Sequence, residues 1–539
     1  MSPFDYVIVG AGAAGSVMAY RLGEQGHRVC VIEAGPPDSN PWIRLPAGVM
    51  KTYADTAITW QLAHEGSAGT NGRRIPFIQG KVLGGSSSVN GMVYSRGQAS
   101  DFDNWCSMGN ESWGYQDVLP YFRKGERFQS GGDDRYRGRD GPIPIVTTAW
   151  RDAACESFMR GAVESGIPRN DDYNGATQAG VGYCQSSIER GWRWSAARGY
   201  LHPARKKWGV TVLTDARVTR ILVQGGRATG VEYLVQGSDT PQVVLSGLAT
   251  IVCAGTVNSP KLLQLSGIGP ADLLQAHGIP VLLNLPGVGE NLSDHYAARI
   301  VGRARDGVKT INDRAKGLPL AKEALAWMLG RPSILAMSPI LAYGFWKTDM
   351  DLPETQFAVS FTPASYKLGM TRRLDDFPGF TCGAWRVRPQ SRGHIRIASR
   401  DHQIDPIIQP NFLDHENDRR ILIAALKFAR KITQSAAMQE VMQAELLPGP
   451  ACQTDDEWLA FARQYGMCNY HLVGTCKMGP ATDPMAVVDA RLKVHGLQGL
   501  HVVDASVMPT TPSANTIAAT MMIAEKAADM IGANKGEPT

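Results

Sequence analysis

The chain has 539 residues, too many for one ordinary core, so at least two domains or one large composite is expected. Hydrophobic residues make up 43% and charged residues 19%, which is globular composition, and a formal charge of +5 with no polybasic run argues against a nucleic-acid partner. No apolar run reaches the roughly 18 residues of a membrane span. No signal peptide is expected before the first strand pattern at residue 4, and nine scattered cysteines suit a reducing compartment. The expectation is a cytoplasmic protein, with peripheral attachment to the inner membrane left open. The sequons at Asn110 and Asn291 are read as chance.

The first stretch is the most informative. Phe4 to Val9 is an apolar strand pattern, Gly10-Ala11-Gly12-Ala13-Ala14-Gly15 is a G-x-G-x-x-G turn, a helical run reaches Gly26, and a second apolar run, Val29 to Ile32, ends in Glu33. Strand, glycine turn, helix, strand and acid in this order form a dinucleotide-binding unit. Gly10 and Gly12 let the backbone turn tightly and approach a pyrophosphate, Gly15 lets the helix pack on the sheet, and the helix N-terminus offers free N–H groups. Glu33 can accept from a ribose diol. The motif alone does not choose between NAD and FAD.

After a Pro-rich loop, Pro36 to Pro46, the next dense pattern is Lys81-Val82-Leu83-Gly84-Gly85-Ser86-Ser87-Ser88-Val89-Asn90-Gly91-Met92. Its glycines and small hydroxyls permit close approach to a ligand. A Gly/Asp-rich turn cluster occupies 131–141, and β-branched runs at 210–223 and 230–244 suggest strands. The stretch 249–255 reads as a buried strand leaving at Gly255, after which Ser259 and Pro260 suit the N-cap and first position of a helix. Helical spacing is expected over Leu318 to Leu329 and Lys427 to Val441. Gln356 to Phe361 alternates, apolar on one face and small or polar on the other. Leu500 to Val503 has the look of a parallel core strand delivering Asp504 to a ligand crevice, and Ala518 to Ile531 closes the chain as a helix.

Five blocks together resemble the glucose–methanol–choline (GMC) family of flavoprotein oxidoreductases. Leu83-Gly84-Gly85-Ser86-Ser87 with Asn90 looks like its first signature, and Gly255 to Pro270 like its second. Gly287-Val288-Gly289-Glu290-Asn291-Leu292-Ser293-Asp294-His295 resembles the turn by which the chain leaves the FAD domain. The first glycine turn and the C-terminal block, Tyr470 to Gly479 with Asp504 and Asn515, complete the likeness. It spans essentially the whole chain and is nearest to the bacterial sorbose and alcohol dehydrogenase branch.

The resemblance implies an α/β plus α+β fold, in which a Rossmann-like FAD-binding domain is interleaved with an antiparallel-sheet substrate domain. Its segments would be 1–150, 197–297 and 466–539 for FAD, and 151–196 and 298–465 for substrate. His471 is then the base that takes the alcohol proton, and Asn515 the group that fixes the oxygen. FAD would be held by Gly10, Gly12, Ala13, Ala14, Gly15, Glu33 and Ala34, and by Val82, Leu83, Gly85, Ser86, Asn90, Gly91, Met92 and Val93. Val218, Ala254, Gly255, Asp504, Ala505, Asn515, Thr516 and Ile517 complete the set. Where some members link FAD to a His, this chain has Val89, so a non-covalent cofactor is expected.

The expected reaction is oxidation of a primary alcohol or a sugar-like polyol by an acceptor-linked dehydrogenase, with electrons passed to a quinone-like acceptor, or to O2 in the oxidase alternative, rather than to NAD. An oxygen-using oxidase and a redox-silent FAD lyase are the alternatives, and no G-x-S-x-G supports a hydrolase. Phe357, Phe361 and Trp385 are candidate substrate-pocket residues, and Asn469 and Tyr470 flank the base. Cys468, His471 and Cys476 fall short of the four ligands of a structural zinc, so no metal is expected. His295 is assigned to a turn, and His64, His277, His402 and His415 to solvent.

Overall fold

The computed structural model describes residues 4–367 and 373–533. Strand β1 (Phe4–Val9) leads through the glycine turn into helix α1 (Ala13–Glu24) and strand β2 (Val29–Ile32). Further along come β3 (Gly180–Tyr183), β4 (Thr211–Leu213), β5 (Ala216–Gln224), β6 (Arg227–Val235), β7 (Gln242–Val252) and helix α2 (Gly255–Leu265). The middle of the chain supplies β8 (Tyr296–Ala304), β9 (Ala342–Trp346), β10 (Phe357–Thr362), β11 (Gly379–Arg386), helix α3 (Glu416–Thr433) and β12 (Met442–Leu447). The short β13 (Met467–Cys468), β14 (Leu500–Val502) and helix α4 (Thr516–Gly532) follow.

Two seven-stranded sheets result. In the first, β4, β2, β1, the C-terminal half of β7 and β14 run parallel, while the N-terminal half of β7 turns into an antiparallel meander with β6 and β5. Val29 to Ile32 and residues 249–252 are buried on both faces, which is why they read as continuous apolar runs rather than alternating ones. The second sheet is antiparallel, in the order β12-β8-β11-β10-β9-β3, with β13 on β8. Helix α3 covers one face of it. The other face looks toward the C-terminal ends of the parallel strands, and the cavity lies between. The composite fold read from the sequence is the one observed.

Two local expectations are corrected. Helix α2 begins at Gly255, so Ser259 and Pro260 lie inside it. Pro260 has no N–H for the Thr256 carbonyl one turn earlier; the Thr475 hydroxyl donates to that carbonyl instead, at 2.6 Å. The helix expected over Lys427 to Val441 is α3, which starts at Glu416 with the His415 ring nitrogen accepting from the Asn417 N–H and ends at Thr433. Ser435 then caps a separate short helix, Ala436–Gln439. The alternation over Gln356 to Phe361 is real: Phe357, Val359 and Phe361 enter the core beneath α3, while Ser360 and Thr362 face the cavity.

Candidate active site

A cavity of about 440 Å³ opens at the C-terminal ends of β1 and β7, where an open α/β sheet receives ligands. Nearly all the expected cofactor residues line it: Gly10, Gly12, Ala13, Ala14, Glu33, Ala34, Gly85, Ser86, Asn90, Gly91, Met92, Val93, Val218, Ala254, Gly255, Asp504, Ala505, Asn515, Thr516 and Ile517. Three do not. A Cβ on Gly15 would sit 1.9 Å from the Gly10 carbonyl oxygen, so this glycine serves the close packing of α1 rather than the ligand. Val82 and Leu83 are fully buried in core clusters beneath the serine-rich loop.

The strand–turn–helix end fits a dinucleotide. Helix α1 starts at Gly12 with no side-chain cap and no acid in its first turn, leaving its N–H groups to an anion. A Cβ on Gly12 would meet nothing nearer than 4.0 Å, so the missing side chain opens room on the cavity side, and Gly85 packs against Gly12 from the loop. Glu33 accepts from the Ala11 and Gly35 N–H groups at 2.8 and 2.9 Å, and burial outweighs these bonds to push its carboxyl up to about 7. Asp504 accepts from the Gly255 N–H, the Ser259 hydroxyl and the Ser506 N–H, which pins the start of α2 to the end of β14.

His471 and Asn515 meet in this cavity. The His471 Nε2 stands 2.8 Å from the Asn515 Nδ2. On its other side His471 Nδ1 is 2.9 Å from His295 Nδ1, and His295 Nε2 is 2.7 Å from the Val387 carbonyl oxygen. That carbonyl can only accept, so it fixes every proton in the chain. His295 carries its proton on Nε2 and accepts at Nδ1; His471 therefore carries its proton on Nδ1 and presents a bare Nε2. Asn515 donates to that lone pair, and the Tyr343 hydroxyl donates to Asn515 Oδ1 at 3.2 Å. Burial lowers both rings, His471 well below the ordinary histidine value, with the neighbouring His295 as its second cause. Both are neutral at pH 7.

The backbone around the base is held as firmly. Asp294 Oδ1 accepts from the His471 N–H at 2.8 Å, and the Thr256 hydroxyl donates to the Leu472 carbonyl at 2.7 Å. Tyr470, just before the base, has φ +63°, a left-handed conformation uncommon for a tyrosine. Asn515 is the N-cap of α4 but makes no side-chain capping bond, which leaves its amide for Tyr343 and His471.

His295, Tyr343 and Asp294 were not picked out as site residues from the sequence. The Asp294–His295 pair lay within a quoted motif, and only the pairing of rings across the fold shows that His295 orients the base rather than stabilising a turn. His64 is also corrected: it is wholly buried, stacked on Phe77 with ring centroids 4.3 Å apart, and its Nε2 is 3.6 Å from Asp294 Oδ2. His402 is half-buried at the cavity edge, while His277 is half-buried and His415 exposed. Of the substrate candidates, Trp385 lines the cavity, but Phe357 and Phe361 point away, Phe361 stacking on Phe158. Asn469 and Tyr470 line it. His64, Asp294 and Cys468 place three potential ligand atoms within 4.8 Å of one another, one short of a closed structural zinc set.

Comparison with known proteins agrees with this geometry. Family models described as GMC oxidoreductase match residues 4–297 and, for the C-terminal part, residues 389–524. The oxygen-dependent choline dehydrogenase of Cronobacter sakazakii is 39% identical over 534 residues, covering 98% of this chain and 95% of its own. The crystal structure of pyridoxine 4-oxidase from Mesorbium loti superposes with a TM-score of 0.87 at 31% identity, over 97% of this chain and 98% of that one. Formate oxidase of Aspergillus oryzae superposes with a TM-score of 0.90 at 25% identity, over 99% of both chains.

Proposed function

The chain belongs to the GMC oxidoreductase family, and on that footing we propose that His471 and Asn515 are the pair that activates an alcohol in an FAD-dependent oxidation of a CH–OH donor. The enzyme is an FAD-dependent alcohol dehydrogenase or oxidase. Bound FAD supplies the acceptor for the hydride that leaves the carbinol carbon.

The protein's own part is proton removal and positioning. The observation that carries the reading is the approach of the bare His471 Nε2 and the Asn515 amide N–H to 2.8 Å inside the cavity. An alcohol hydroxyl entering there takes the amide's place at the lone pair, donating to Nε2 and accepting from the Asn515 N–H. As the proton passes to His471, the Asn515 N–H stays on the oxygen that gains charge, and Tyr343 keeps the amide in that orientation. General-base assistance of this kind is worth about 10²–10⁴-fold in rate. Orientation by His295 is why the proton finds a lone pair rather than an N–H.

The cofactor is held without a covalent bond, because Val89, which lines the cavity beside Asn90, offers no nucleophile. Electrons leave to a quinone-like acceptor or O2, and the product is the aldehyde or ketone of a primary alcohol or polyol. All nine cysteines are free, which supports a reducing, cytoplasmic setting; no helix among the described residues is long and apolar enough to cross a membrane.

Anaerobic mixing of the holoenzyme with primary alcohols and polyols tests the reading. Bleaching of the flavin band is expected, and recolouring in air separates oxidase from dehydrogenase. A flavin that stays yellow with every alcohol while the protein catalyses a non-redox cleavage would overturn it.

A further inference from the structure

The substrate sheet carries a charge that proton transfer does not use. On β8, Ala297 and Arg299 face the cavity, while Ala298 and Ile300 face the core. Arg299 is half-buried, and among the described residues its one side-chain hydrogen bond runs from Nη1 to the Met467 sulfur at 3.6 Å, a weak acceptor. No carboxylate pairs with it among the described residues. Most of the guanidinium's five donors therefore have no partner among the described residues, on a wall of the ligand cavity.

The neighbouring strands leave room for that partner. Arg299 sits opposite Gly383 on β11, and Gly383 opposite Ser360 on β10. A Cβ on Gly383 would lie 2.9 Å from the Ser360 Oγ and 3.8 Å from the Arg299 Cγ, so the glycine keeps a gap open between cation and hydroxyl. Thr362 and Thr381 extend the polar row, and Trp385 flanks it.

The cavity's other charges belong to its nucleotide end and are already engaged. Glu33 and Asp504 accept backbone N–H groups, Lys261 donates to the His402 and Ile404 carbonyls, and Arg217, beside Val218, donates to the His402 carbonyl at 3.5 Å and lies over the Trp60 ring. Among the described residues, the wall beneath His471 thus carries one charge, a positive one, and no acid. A quaternary ammonium substrate would be repelled there.

We propose that Arg299 recognises an anionic substituent, so that the alcohol oxidised by this enzyme carries a carboxylate or phosphate at the end remote from the reacting hydroxyl. The inference rests on the alcohol-oxidation reading above and adds the substrate class. Guanidinium binds either anion through two parallel N–H bonds, which an ammonium head cannot copy. Arg299 lies four residues beyond His295, which holds the base just before β8 begins at Tyr296, about 13 Å along an extended chain.

The test uses matched probes on the holoenzyme: 4-(hydroxymethyl)benzoate against benzyl alcohol, 4-hydroxybutyrate and a hydroxyalkyl phosphate against 1-butanol, and choline as the cation. Anaerobic flavin reduction should favour the anionic member of each pair by on the order of 100-fold in rate over dissociation constant, and the stronger of the carboxylate and phosphate arms names the anion. Arg299→Gln should abolish that preference while leaving the neutral alcohols within about threefold, and Arg299→Lys should keep part of it. Benzoate, which cannot be oxidised, should perturb the flavin spectrum of the wild type and not of Arg299→Gln.

Equal use of charged and neutral partners, or equal losses for both in Arg299→Gln, would overturn the subsite and leave alcohol oxidation standing. Reduction by choline in preference to the anions would also overturn it. Reduction by none of the probes, with no benzoate perturbation, would overturn both.

Discussion

Replacing His295 tests the proton arrangement at its origin. In His295→Phe a ring of similar shape fills the site, but the His471 Nδ1–H loses its acceptor on the side where His295 is wholly buried. A buried donor left without a partner costs about 1–3 kcal/mol. His471 escapes that cost by moving its proton to Nε2, where Asn515 can turn its amide oxygen to receive it. The base form is then a minority, reduced by about 5- to 150-fold at 1.36 kcal/mol per tenfold. Stopped-flow flavin reduction at saturating alcohol should slow by that factor, with FAD content unchanged. His295→Gln supplies an oxygen toward His471 and an N–H toward the Val387 carbonyl, so it should run within about tenfold of the wild type. Equal slowing by Phe and Gln, or a Phe rate within twofold of the wild type, would show that His295 does not set the His471 tautomer.

Two pH effects follow from buried groups. Glu33 has its carboxyl pushed up to about 7 by burial, and ribose hydroxyls bind its ionised form, so FAD affinity should fall as pH drops below 7, approaching tenfold per unit. Equilibrium dialysis between pH 8 and 5 would measure it, and Glu33→Gln should flatten the curve; a wild-type affinity independent of pH would contradict the assignment. His501 is lowered by burial to about 4. The unfolded chain binds this proton near 6.5 and the folded chain does not, so stability is full above pH 6.5 and declines as pH falls toward 4, by roughly 3 kcal/mol for this group. Urea midpoints at pH 7 and 5 should show the loss, reduced in His501→Leu; greater stability at pH 5 would refute it.

Features that depend on local chain geometry were legible in the sequence. Gly10, Gly12 and Glu33 do their work within one strand–helix–strand unit, and Leu500 to Val503 announces a core strand because both of its faces are buried. Features that depend on register between distant strands were not. Arg299, Tyr343 and Trp385 share a wall only because β8, β9, β10 and β11 pair as they do, and periodicity cannot say which face of Phe357 to Thr362 meets a ligand. Ser259 and Pro260 carry a strong local cap signal, yet Asp504, 245 residues from Ser259, takes the serine hydroxyl and lets the helix start earlier. His64 sits in a polar stretch, but pairing of Thr59–His64 with Ile75–Gly80 draws it inside against Phe77.

His471 acts as the base and not as a binding group for FAD in the proposed reaction. Single-turnover anaerobic reduction of purified His471→Ala, with flavin content measured in the same sample, tests it most directly. The account predicts full FAD occupancy and a reduction rate lower by about 10²–10⁴-fold. A variant that keeps its flavin and reduces it at nearly the wild-type rate would remove His471 from this role.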